Sequence, residues 1–99
     1  MKYYAAQNFI NGQFVNGSSV ESLDVISPIN GELLSTVPLS RLSDLDTAVQ
    51  SAKAAFKIWG TMPIKERVQV FFRYKYLLEK NLQELAELIC EENGKTMSE

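Results

Sequence analysis

Cys90 is the only thiol among the 99 residues, and the chain contains no histidine to activate it. A nucleophilic cysteine needs a nearby base, a cation or a helix N-terminus to hold it as thiolate. Cys90 stands instead late in a helical stretch, beside Glu91 and Glu92. The sequence therefore predicts a packed, unreactive cysteine that behaves as a small hydrophobe. Glu91 and Glu92 are the nearest approach to an acid–base pair. Adjacent helical residues point about 100° apart and cannot converge on one substrate atom, so a solvated helix face is expected there. Asp44 and Asp46 suit the positive end of a helix dipole better than a metal site.

Phosphate and base recognition fare no better. Asn11-Gly12, Asn16-Gly17 and Asn30-Gly31 read as turns, and none lies in a GxGxxG or GxxxxGK[ST] pattern. Gly94-Lys95-Thr96 looks like the end of a P-loop, but Ile89 occupies the position where that motif needs its first glycine. The tripeptide also follows a helix, where a P-loop precedes one. Phe71, Phe72, Tyr74 and Tyr76 beside Arg73 and Lys75 could in principle stack on bases. On a helix they alternate between faces, which predicts core packing. No catalytic, cofactor-binding or metal-binding role falls to any residue.

Bulk properties narrow the classes further. Ten basic residues against twelve acidic ones give a net charge of −2, the wrong sign for a protein that neutralises nucleic-acid phosphates. One cysteine excludes a disulfide framework or a cysteine-rich zinc module. The chain is 45% apolar and 10% aromatic, enough to predict one small domain with a real core. A chain of this size is expected to bury about 60–65% of its unfolded surface. The N-terminus has one basic residue, Lys2, before Phe9-Ile10, which is too short for a signal-peptide core. Apolar runs of three or four residues cannot span a membrane. A cytoplasmic protein is expected.

Residues 1–40 read as strands and turns. Phe9-Ile10 and Gln13-Phe14-Val15 flank Asn11-Gly12, a pair suited to a type I′ hairpin. Leu23 and Val25 alternate with Ser22 and Asp24, as on a half-buried strand. A further extended stretch is expected from Glu32 to Val37, after the turn Ser27-Pro28-Ile29-Asn30-Gly31. Such short strands bury little alone and are expected to pack on helices. From Ser43 the apolar period becomes helical, with Leu45, Val49, Ala52, Phe56 and Trp59 on one stripe. The spacing predicts helices over 43–60, 63–80 and 81–93. Ser43 is the expected N-cap of the first and Pro63 opens the second. Asn81 with Glu84 forms the expected capping pair of the third, and Gly94 its left-handed end. The second stripe comprises Ile64, Val68, Phe71, Phe72, Leu78 and the body of Tyr74. The third comprises Leu82, Leu85, Ala86, Ile89 and Cys90.

An ordered set of short motifs now carries a resemblance. It runs Phe9-Ile10-Asn11-Gly12-Gln13-Phe14-Val15, Ser27-Pro28-Ile29-Asn30-Gly31-Glu32, Asp46-Thr47-Ala48-Val49, Ala54-Ala55-Phe56 with Trp59, Arg67, and Glu92-Asn93-Gly94-Lys95. In order and spacing this set resembles the opening of an aldehyde dehydrogenase, across essentially the whole chain. Gln69-Val70-Phe71-Phe72-Arg73-Tyr74, Asn81, Glu84-Leu85-Ala86 and Leu88-Ile89, followed by Gly94-Lys95-Thr96, are most similar to the CoA-acylating methylmalonate-semialdehyde branch of that family.

The resemblance implies an α+β fragment: N-terminal strands and three amphipathic helices that form part of the α/β coenzyme-binding domain of a longer parent enzyme. It implies NAD and CoA as cofactors of that parent, with none expected on these 99 residues. The family's nucleophilic cysteine does not correspond to Cys90, and no family catalytic residue carries over. Some members hold a monovalent cation with backbone just before the Ser27-Pro28 position, which would point to Ile26. The expected partners are the remainder of the parent chain and further copies of this one, with no nucleic acid or membrane. The competing reading is a free-standing helical interaction module.

Overall fold

Asn11 and Gly12 both adopt positive φ, 53° and 75°, as the two central residues of a type I′ turn must. The computed structural model describes all residues from Met1 to Glu99. Around that turn β1 (Asn8–Ile10) pairs antiparallel with β2 (Gln13–Val15), and Phe9 stands opposite Phe14. Their rings lie 4.9 Å apart between centroids, a cross-strand aromatic pair of the stabilising kind. A second antiparallel pair joins β3 (Ser22–Ile26) to β4 (Leu33–Pro38), with an irregularity between Val25 and Ile26. The four strands form two separate two-stranded sheets. Pro38 is the last residue of β4, one position beyond the expected end, and stands opposite Ser22; as an end position it needs no ladder donor there.

Residues 2–6 run alongside β4. The backbone N–H groups of Lys2, Tyr3 and Ala6 donate to the carbonyls of Leu33, Leu34 and Thr36 at 3.3, 2.8 and 2.8 Å. The Ser35 hydroxyl donates to the Tyr4 carbonyl at 2.7 Å. This N-terminal segment is thus part of the strand half, although no alternation pattern marks it.

The helices are α1 (Leu42–Trp59), α2 (Ile64–Lys80) and α3 (Leu82–Asn93). Their caps differ from expectation in two places. Arg41, not Ser43, is the N-cap of α1, because Asp44 reaches back to accept the Arg41 N–H at 2.8 Å. An acidic side chain at that position satisfies a free N-terminal donor and meets the helix dipole. Asn81 does cap α3 by position, but its side chain makes no bond into that helix. Its Nδ2 donates instead to the Leu77 carbonyl at 2.8 Å, closing the end of α2. Gly94 has φ 78° and ends α3 in the left-handed conformation, its N–H donating to the Cys90 carbonyl.

The expected core is where the structure departs most from the sequence reading. Only Leu34 and Ser27 are buried, and no residue of α1, α2 or α3 is. The exposed surface is 8234 Å², whereas a compact protein of this mass would show about 5,700 Å². That corresponds to burying only about half of the unfolded surface. The radius of gyration is 17.1 Å against about 13 Å for a compact chain of this length. The cause is geometric. The helices complete their own backbone hydrogen bonds, and none of their residues is buried. α1 touches the strands at β1, so the expected packing of strands on helices is sparse.

Candidate functional site

The tightest gathering of ionisable side chains lies where the N-terminal segment meets α3. Lys2 Nζ pairs with Glu91 Oε1, and the Tyr3 hydroxyl donates to Glu91 Oε2 at 2.5 Å. One carboxylate thus receives two donors from residues more than eighty positions away. The hydrogen bonds from Lys2 and Tyr3 hold the Glu91 carboxyl below its ordinary range. Bonding to that carboxylate raises Lys2 and Tyr3 in turn. Each shift follows from hydrogen bonding to the charged partner. Beneath this clasp Ala6, Val25, Leu34 and Leu88 line a small cavity of about 180 Å³. The cluster ties α3 to the strands, and Ser35 and Glu92 also line the cavity.

Glu91 is the residue the sequence reading missed. It was expected on a solvated face, and no signal in the sequence links it to Lys2 and Tyr3. Glu92 is exposed and takes no part in the clasp.

The other residues singled out serve local structure. Asp44 accepts from the Arg41 N–H, from the Ser18 N–H and from the Ser18 hydroxyl. These bonds, led by the Arg41 backbone, hold its carboxyl below the usual range. Asp44 thereby ties the loop before β3 to the start of α1. Cys90 is half-buried rather than buried, and its thiol donates to the Met97 sulfur at 3.4 Å. No group of three or more His, Cys, Asp or Glu side chains gathers as metal ligands would. Ile26 ends β3 opposite Leu33.

The largest concavity, about 550 Å³, is an apolar groove between the end of α2, α3 and the residues after it. Leu78, Leu82, Leu85, Ile89 and Met97 line it, with Lys95 and Glu99 at its edge. A second opening beside Trp59, Ile64, Val68 and Phe71 contains Arg67, whose Nε is buried and has no hydrogen-bond partner. No helix is long and apolar enough to cross a membrane.

Comparison with known proteins places this geometry. The profile of the aldehyde dehydrogenase family matches residues 14–99. The chain is 44% identical over 93 residues to malonate-semialdehyde dehydrogenase 1 of Geobacillus kaustophilus, covering 94% of this chain and 19% of that protein. It is 47% identical to the malonate-semialdehyde dehydrogenase of Halalkalibacterium halodurans, with the same coverage. A Sinorhizobium meliloti protein described as a methylmalonate-semialdehyde dehydrogenase, crystallised with NAD, superposes with a TM-score of 0.90 at 39% identity. That match covers 99% of this chain and 20% of the solved one. The chain thus spans about a fifth of the length of its relatives (19% of each), and its short strands and three helices match the N-terminal part of their fold. By sequence and by fold, this chain belongs to the aldehyde dehydrogenase family.

Proposed function

We propose that these residues form the N-terminal part of an NAD-dependent, CoA-acylating malonate- or methylmalonate-semialdehyde dehydrogenase. Such an enzyme oxidises the semialdehyde to an acyl-CoA with loss of carbon dioxide. The observation that carries the reading is the identity to malonate-semialdehyde dehydrogenases along nearly the whole chain. The role of the present residues in that enzyme is scaffolding. The β3–β4 pair, the N-terminal segment and α3 are joined through Glu91, and the apolar helix faces are surfaces for the rest of the fold to cover.

NAD does not fit the residues of this chain. A dinucleotide cradle sets a glycine-rich turn between a parallel strand and a helix N-terminus. Here both sheets are antiparallel, and the helices open at Arg41, Pro63 and Asn81. The left-handed glycines, Gly12, Gly31 and Gly94, lie in two turns and at a helix end. Nucleotide binding and thiol chemistry therefore belong to other parts of the family fold.

A chimera tests both halves of this reading. The 99 residues would replace the matching segment of the Geobacillus kaustophilus enzyme. NADH formation from malonate semialdehyde, dependent on CoA, should persist. A soluble, folded chimera without that turnover would overturn the substrate assignment. The 99 residues alone should show neither turnover nor micromolar NAD binding in calorimetry, and either result would overturn the scaffolding role.

A further inference from the structure

Four of the five glycines in this chain follow an asparagine: Gly12, Gly17, Gly31 and Gly94. In an Asn-Gly pair the next backbone nitrogen can attack the side-chain amide, because glycine has no Cβ to shield that nitrogen. We propose that Asn11-Gly12, at the tip of the β1–β2 hairpin, is a self-modification site: of the four pairs it is the one the fold leaves free to deamidate in water. The inference stands apart from the enzymatic reading above and rests on the hydrogen bonds each pair makes.

Attack requires the asparagine to swing its Cγ over the glycine nitrogen, and that N–H to lose its proton. A hydrogen bond on either group opposes the step, since it must first be broken. Asn30 is held at both groups. Its Oδ1 accepts from the Glu32 N–H at 3.0 Å, and the Gly31 N–H donates to the Ser27 carbonyl at 2.9 Å. Asn93 is held in the same way. Its Oδ1 accepts from the Lys95 N–H at 3.2 Å, and the Gly94 N–H donates to the Cys90 carbonyl at 2.9 Å. Both pairs sit in turns closed by side chain and backbone together. Asn16 is held once, its Oδ1 accepting from Gln7 Nε2 at 2.9 Å. Asn11 is held at neither group. Its side chain makes no hydrogen bond, and the ladder closes between Ile10 and Gln13, which leaves the Gly12 N–H outside it. A Cβ added at Gly12 would meet nothing within 4 Å, so the approach is open.

The step balances without a catalyst or a redox partner. The Gly12 nitrogen bonds to Asn11 Cγ, the Cγ–Nδ2 bond breaks, and Nδ2 leaves as ammonia with the proton of the glycine amide. Water then opens the five-membered imide. Opening at Cγ gives aspartate, which also tolerates a left-handed backbone. Opening at the backbone carbonyl gives isoaspartate, whose main chain runs through the former side chain. That product lengthens the two-residue turn and disturbs the Ile10–Gln13 pairing and the Phe9–Phe14 ring contact. Either product adds a negative charge to a stretch, residues 3–40, that contains no lysine or arginine.

Incubation of the 99-residue chain in mildly alkaline buffer, followed by digestion and mass spectrometry, gives the conversion rate at each asparagine. Asn11 should convert severalfold faster than Asn16, with Asn30 and Asn93 slowest. In urea, where the native hydrogen bonds are lost, the four rates should converge. Gln7→Ala should raise the Asn16 rate severalfold and leave that of Asn11 unchanged. Native conversion led by any other asparagine, or a native order that persists in urea, would overturn the proposal. So would an Asn16 rate unmoved by Gln7→Ala, because hydrogen bonding would then not set the order.

Discussion

The strand half and the helical half of this chain solve the same problem in opposite ways. In residues 1–40 the strands take their backbone partners from other segments: β1 from β2, β3 from β4, and the N-terminal stretch from β4. That half cannot form without tertiary structure, and it contains both buried residues, Ser27 and Leu34. In residues 42–93 each helix closes its hydrogen bonds within itself and buries nothing. Helical secondary structure can therefore be complete while its apolar stripe still awaits a partner. Local order is not evidence of a core.

The sharpest way to break this contrast is to remove side chains from each half. Leu34 is 4% exposed, whereas Leu85 on α3 is 37% exposed. Leu34→Ala should cost about 3 kcal/mol in urea unfolding, since a cavity opens where neighbours cannot collapse. Leu85→Ala should cost well under half of that in the same measurement. Equal losses would mean that the helical half has a core after all.

Gly94 sharpens the comparison at the end of the chain where helix and strands meet. At φ 78° any side chain is strained, and an added Cβ would lie 3.4 Å from Pro28 Cγ, so space is not the obstacle. Gly94→Ala should destabilise by about 1 kcal/mol through backbone conformation alone. A thermal melt unchanged by the substitution would contradict the left-handed cap.

The smallest effect concerns the clasp that joins the halves. Glu91 is held below its ordinary range by Lys2 and Tyr3. Its contribution is therefore present above ordinary carboxylate pH and is lost as pH falls through the lowered value. Tyr3 and Lys2 are raised above 10.0 and 10.5. Their contribution is present below those values and is lost as pH rises through the raised ones. The protection of the amides of residues 2–6, measured as hydrogen exchange relative to the intrinsic rate at each pH, should be greatest across the neutral window and should fall at both extremes. Tyr3→Phe should diminish the alkaline change, and a flat profile in the wild type would rule the clasp out.

Much of this was legible in local chemistry. Asn11-Gly12 names its own turn, and the stripes of α1, α2 and α3 announce helices because their period needs no distant partner. Gly94 falls where a stripe stops. The caps were harder: Ser43 is a good capping residue, but Asp44 reaches back to Arg41 and moves the boundary. The Glu91 clasp was invisible, since Lys2 and Tyr3 meet it only once β4 has placed the N-terminal segment. Apolar content showed what could be buried, while chain geometry decided that little of it is.

The joint between α2 and α3 is a single residue, Asn81, serving as the end of one helix and the start of the next. Such a joint sets an angular phase as well as a connection. Each residue added to or removed from a helix turns everything after it by about 100°. One inserted residue at Asn81 would swing Leu82, Leu85 and Ile89 to a new heading and carry Glu91 away from Lys2 and Tyr3. A substitution on one of these helices alters one side chain's contacts and leaves the heading of the others unchanged. A change in length at this joint moves all of them at once, so sequences sharing this arrangement should keep the count of residues between Trp59 and Gly94.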